Sequence, residues 1–155
     1  MTPLGDFFPE SFKADFASRN LQTGSVLKLH VKDTNPPKEK RFIVIGKTVD
    51  GICLATVFIN SEINLNVNFS EELRNLHCFL PSDGRDYLEH DSYVDCSMIY
   101  VRQHEELYQA LKLRPEALLG VLDNNDIQII RNTIIRSPKI KGKDKKRFGF
   151  FSPEN

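Results

Sequence analysis

The stretch RFIVIGKTVDGICLATVFINSEI, from Arg41 to Ile63, decides the fold. Arg41-Phe42-Ile43-Val44-Ile45 is an apolar run rich in β-branched residues, which pack well on a pleated surface. A second apolar run, Ile52 to Ile59, follows it. Between them stands Asp50-Gly51, a dipeptide that tolerates the positive φ angles of a type I′ turn. The pattern predicts a β-hairpin. Both strands are too apolar to leave one face wet, so the hairpin belongs in the middle of a sheet or small barrel. At Ile59-Asn60-Ser61-Glu62-Ile63 polar groups appear at once. Strand ends of this kind are where a rigid scaffold displays chemistry.

Working back toward the N-terminus, Lys32 to Lys40 reads as a loop, because Asn35-Pro36-Pro37 cannot donate to a central ladder. Before it, Gly24 releases the chain into a strand over Ser25 to Val31, with His30 solvated on it. Pro9-Glu10-Ser11 can start a short helix, and Phe8, Phe12 and Phe16 recur at a spacing of four, a stripe expected to pack against the core.

Beyond the hairpin, Ile63, Leu65, Val67 and Phe69 alternate with Asn64, Asn66 and Asn68, the pattern of a half-buried strand with one polar face. A short polar connection opens at Ser70-Glu71-Glu72, and further strands are expected over Leu76 to Leu80 and Tyr93 to Val101. Gln103 to Lys112 reads as helical, and Gly120 as a break. Asp123 or Asn124 can cap a final helix carrying Ile127, Ile130 and Ile134, which Pro138 stops. Strands clustered before helices argue for an α+β, mainly β, barrel or sandwich.

The length of 155 residues suits one domain with a proper core. Three cysteines without framework spacing read as reduced thiols of a cytoplasmic protein. No stretch is long and apolar enough to span a bilayer, and no signal-peptide pattern is visible, so no membrane partner is expected. The net charge of zero hides an asymmetry. Arg136, Lys139, Lys141, Lys143, Lys145, Lys146 and Arg147 crowd the C-terminal end, as a nucleic-acid contact or a solvated tail would.

Glycine-rich phosphate loops, a nucleophile elbow, Cys-x-x-Cys and His-Glu-x-x-His are missing from the sequence. His77 beside Cys78, and the group His90, Asp91, Asp95 and Cys96, suit a tetrahedral metal site poorly, so neither a metal nor a cofactor is expected. What remains is Lys40 and Arg41 at the start of one hairpin strand and Asn60 and Ser61 at the end of its partner. The antiparallel return sets those ends side by side. A cation beside hydroxyl and amide groups is what a phosphodiester site needs. With RNA the nucleophile is already present as the 2′-hydroxyl.

On these residues the chain resembles the MazF/PemK toxin family, whose small SH3-like barrel also underlies the gyrase poison CcdB. Gly24-Ser25-Val26-Leu27 is similar to the family's opening Gly-Asp-Val-type strand. Lys40-Arg41-Phe42-Ile43-Val44-Ile45 stands where the family has a basic loop and an Arg-Pro β-branched strand, and Ile59-Asn60-Ser61 where it has Ile-Thr-Ser. Ser92-Tyr93-Val94-Asp95 through Val101-Arg102, then Gly120-Val121-Leu122 and Asp126-Ile127, complete the order over residues 24–136. The resemblance implies an SH3-like (CcdB/PemK-type) barrel over 23–138 with its closing helix. It leaves 1–22 as a helical extension and 139–155 as a basic tail.

The resemblance also implies metal-independent cleavage of single-stranded RNA, a homodimer, and neutralisation by an antitoxin protein. The family arginine falls on Lys40 or Arg41, and its hydroxyl falls on Asn60 with Ser61 beside it. RNA contacts are then expected from Lys38, Asn64, Asn66, Lys143, Lys145, Lys146 and Arg147. The departures at the missing proline and at Asn60 favour an alternative, a non-catalytic barrel that binds protein or nucleic acid.

Overall fold

The computed structural model describes residues 10–34 and 36–151. Its centre is the predicted hairpin: β2 (Lys38–Lys47) pairs antiparallel with β3 (Cys53–Asn60). Around them lie β1 (Ser25–Val31), β4 (His77–Leu80), β5 (Ser92–Asp95), β6 (Tyr100–Gln103) and β7 (Leu118–Val121). All pair antiparallel in one curled α+β sheet of order β4-β5-β3-β2-β1-β7, with β6 also on β3. The helices are α1 (Glu10–Asn20), α2 (Glu71–Arg74), α3 (His104–Leu113), α4 (Asn124–Arg136) and α5 (Gly142–Arg147). No helix among the described residues is long and apolar enough to cross a membrane.

Apolar residues on both faces of β2 and β3 demand cover on both sides. On one face Phe42, Val44, Leu54 and Phe58 pack with Ala17 of α1, with Leu21 just after it, and with Leu107 and Leu111 of α3. On the other, Ile43, Ile45, Val57 and Ile59 pack with Ile127, Ile130 and Ile134 of α4 and with Ile140, Phe148 and Phe150. The sheet is thus sandwiched between two helical layers. A bulge between Val44 and Gly46 bends β2, and Gly46 lets the C-terminal segment approach, since a Cβ there would lie 2.9 Å from the Phe148 carbonyl oxygen.

Several sequence expectations give way to local hydrogen bonding. The hairpin loop is wider than a type I′ turn: Gly51 has φ 74°, but no described residue other than glycine has positive φ, so Asp50 does not adopt the I′ conformation. Asp50 Oδ1 instead accepts from Ile52 N at 3.0 Å and from the Thr48 hydroxyl at 2.6 Å. The loop before β2 is also shorter than expected, because the strand begins at Lys38.

The alternating segment 63–69 is not a strand. Asn64 Oδ1 accepts from Asn66 N at 3.0 Å, and the Asn64 carbonyl accepts from both Asn68 N and Asn68 Nδ2 at 2.9 Å. Asparagine side chains thereby give the backbone a local alternative to a ladder. Leu65, Val67 and Phe69 are left 63%, 64% and 77% exposed. Likewise Tyr93 to Val101 is two strands, because Asp95 Oδ1 accepts from Ser97 N at 2.9 Å and turns the chain. Gly120, read as a break, lies inside β7.

At the N-terminal end α1 docks through Ala17, with Leu21 beyond its last turn also buried, while Phe12 is half exposed; Phe8 lies outside the described residues. At the other end the basic segment forms α5 and is not a solvated tail. Phe148 and Phe150 are buried, and Lys145 is buried too, its ammonium donating to the Ile135 and Ser137 carbonyls at 2.8 Å each. Truncating a buried phenylalanine costs about 3–5 kcal/mol. Phe150→Ala is therefore expected to lower the urea midpoint by that equivalent, while Phe151→Ala, on an exposed neighbour, stays within about 0.5 kcal/mol of wild type. Equal midpoints for the two variants would show that the C-terminal segment contributes nothing to the core.

Candidate functional site

Strand alternation separates the two basic residues that the sequence leaves equivalent. Lys40 shares a face of β2 with Phe42 and Val44, whereas Arg41 lies on the opposite face with Ile43. The register of Arg41 with Ile59 sets Lys40 across from Asn60, and Lys40 Nζ donates to Asn60 Oδ1. The same ammonium stands 5.3 Å from the centroid of the Phe58 ring. Burial pushes the Lys40 pKa below the usual lysine value, the like charge on Lys38 lowers it further, and Asp95 opposes them.

β4 and β5 extend this face past the helical cover. His77 pairs with Asp95 in the ladder, and its Nε2 stands 3.9 Å from Asp95 Oδ1 and 3.0 Å from Asn68 Oδ1. An amide oxygen only accepts, so Nε2 is assigned as the protonated nitrogen. The His77 side chain is 4% exposed, and its Nδ1 is buried without a hydrogen-bond partner among the described residues. Lys38, Lys40, Asn60, Ser61, His77 and Asp95 line a cleft of about 430 Å³, with the 62–68 loop forming its rim through Glu62, Asn64 and Asn68.

Arg41 opens on a second, smaller lobe of about 220 Å³, shared with His90 and Ser92. Its Nη2 stands 3.1 Å from Glu89 Oε1, which holds the Glu89 carboxyl below the usual carboxylate range. Arg41 Nε is buried with no hydrogen-bond partner among the described residues. Lys38, Lys40, Asn60 and Ser61 line both lobes, so the expected quartet Lys40, Arg41, Asn60 and Ser61 does converge on one strand-end region.

The other expected contacts divide. Lys38 and Asn64 border the cleft, whereas Asn66 is exposed in its turn outside both lobes. Lys143, Lys146 and Arg147 are exposed on α5, and Arg147 sits with Thr48 and Asp50 at the hairpin's turn. That end is roughly 24 Å from Lys40, counted along β2 from Lys40 to Lys47 at about 3.4 Å per residue. Lys145 is committed to the core. His77 and Asp95 enter the site although the sequence weighs them only as metal ligands. Alternation puts Asp95 on the face of Tyr93, opposite the buried Val94, and the pairing of Tyr93 with Asn60 makes that the Asn60 face.

Charge placement makes the Lys40 environment testable. Lys38→Met removes a like charge and is expected to raise the Lys40 titration midpoint, read from its side-chain NMR resonances; Asp95→Asn removes an opposite charge and is expected to lower it. A wild-type Lys40 that titrates at the ordinary lysine value, unmoved by either change, would contradict this arrangement. No family model and no curated protein sequence matches the chain.

Proposed function

We propose that the strand-end cleft binds single-stranded RNA and cleaves it without a metal, on an SH3-like barrel of the MazF/PemK type. The observation that carries this reading is the Lys40–Asn60 pair, a partly desolvated ammonium held at the edge of a polar cleft. An ammonium has three donors, and Asn60 Oδ1 takes one, leaving others for a phosphate oxygen. Its lowered pKa makes it a better acid than an ordinary lysine for a leaving oxygen. In this reading Ser61 and the Asn60 amide orient the 2′-hydroxyl, and Asp95 is the base of the same cleft.

In the reaction the 2′-oxygen attacks the adjacent phosphorus and forms a new P–O bond. Its proton passes to a base of the cleft. The P–O5′ bond breaks, and the 5′-oxygen takes a proton. The products are a 2′,3′-cyclic phosphate and a 5′-hydroxyl, with no oxidant, water or metal consumed. In this reading the protein acts as a homodimer that an antitoxin protein neutralises, as the family resemblance implies.

The contact between Arg41 and Glu89 favours a second reading, a binding module that does not cut. The permanent cation of the site is already paired with a carboxylate. Glu89 is 69% exposed, however, and such a pair is weak enough for a phosphate to displace it.

End-labelled single-stranded RNA in excess EDTA decides between the two. Wild type is expected to leave cyclic-phosphate ends, and Lys40→Ala to lose about a hundred-fold or more in rate, the scale of a lost charge-stabilising donor. Ser61→Ala and Arg41→Ala, assayed alongside, locate the orienting hydroxyl and the second cation. RNA that is bound and left intact by folded wild-type protein would establish the binding module instead.

A further inference from the structure

The register carries the polar row of the site directly into a pair of aromatic rings, Tyr93 half-buried and Phe79 exposed. Asn60 pairs with Tyr93 across β3 and β5, and Tyr93 pairs with Phe79 across β5 and β4. Lys40 lies on the other side of Asn60, so Lys40, Asn60, Tyr93 and Phe79 form one continuous cross-strand row on one face of the sheet. The Tyr93 and Phe79 ring centroids are 5.4 Å apart with the planes tilted at 50°. Phe79 is 53% exposed, although it stands on a strand whose neighbour Leu80 is buried. The helical layer of α1 and α3 covers Phe42 and Phe58 on this face but leaves the β4 edge open.

We propose that Tyr93 and Phe79 form a base-stacking platform, the subsite that takes an unpaired nucleobase of a strand whose phosphates lie at Lys38 and Lys40. This inference rests on the nucleic-acid reading of the cleft. Strand spacing of about 4.8 Å puts Phe79 some 14 Å from Lys40 across the sheet, so a short single strand reaches from cation to rings. Every base has a π-face, so stacking on such rings favours unpaired strands over duplex and tolerates many sequences. The two rings make a tilted aromatic pair, which holds them together as one surface. Adjacency to Asn60 and the two lysines favours a phosphate-linked base over an apolar protein segment, since a cation, an amide and two aromatic rings follow one another along one row.

The test separates this inference from the reading beneath it. Binding is measured with a short fluorescent RNA carrying 2′-O-methyl groups, which cannot be cut, and with an abasic strand of the same length. Phe79→Leu and Tyr93→Leu keep apolar bulk but lose the ring; Tyr93→Phe keeps it. The leucine variants are expected to weaken binding of the base-bearing strand by about five- to a hundred-fold, the range that one base–aromatic stack supplies. Tyr93→Phe is expected to bind as wild type, and the abasic strand to bind weakly and equally to all. If the leucine variants match wild type while Lys40→Ala weakens binding, the platform is refuted and the nucleic-acid reading stands. If wild type binds neither strand, both fall. If the leucine variants instead turn a dimer into a monomer by sedimentation at unchanged affinity, the rings are an interface between copies, and the platform is refuted.

Discussion

A two-stranded ribbon that is apolar on both faces cannot be left half in water, and the rest of the chain arranges itself around that constraint. Phe42, Val44, Leu54 and Phe58 require one cover, and Ile43, Ile45, Val57 and Ile59 require another. Each such side chain contributes roughly 1.5–3 kcal/mol when fully buried, so leaving either face bare would undo the domain. The chain answers with α1 and α3 on one side and with α4 and the C-terminal aromatic segment on the other. Sheet edges are extended by β1 and β7 one way and by β5, β6 and β4 the other. The covering helices do not reach every strand end, and the cleft lies where they stop.

The central hairpin was legible because apolar runs on both faces have no competing explanation, and β1 and α4 because a glycine or a capping aspartate marks their start. Asp123 accepts from Asp126 N at 2.8 Å, the cap that its position announces. The misread segments share a cause: a side chain that satisfies nearby backbone outcompetes a regular pattern. Asn64 and Asn68 fold 63–69 back on itself although hydrophobic alternation there is clean. Asp95 breaks one long strand in two by the same means. The C-terminal segment was obscured by its charge. Lys145 reads as a solvated cation, yet its ammonium satisfies two carbonyls at the C-terminal end of α4, and the phenylalanines that follow supply the burial.

At the site, sequence located the neighbourhood but not the partners. Lys40 and Arg41 differ by one position, which on a strand is the difference between two faces, and no composition or motif decides which face bears the ligand. The structure gives each residue its own acid: Asp95 bears on Lys40, Glu89 on Arg41. Both acids are remote in sequence, Asp95 on β5 where it pairs with β3 and β4, and Glu89 in the loop that precedes β5. The same holds for Tyr93 and Phe79, which have no spacing signature relative to Asn60 and become its neighbours through two successive ladders.

Asn60 is the residue where the family resemblance and the geometry bear on each other most directly. In the resemblance a hydroxyl stands at this position beside an arginine, and an amide looks like a loss. An arginine is a rigid, weakly hydrated fork, whereas a lysine ammonium is a compact charge that needs a fixed acceptor to hold it in place. The Asn60 carbonyl oxygen supplies that acceptor without adding a negative charge that would compete with phosphate, and Phe58 steadies the ammonium from below through its ring face. A carboxylate at position 60 would neutralise Lys40; a hydroxyl would hold it less directionally. Lys40 and Asn60 therefore act as one unit that keeps a cation at the cleft, and the hydroxyl beside it is that of Ser61, which lines both lobes.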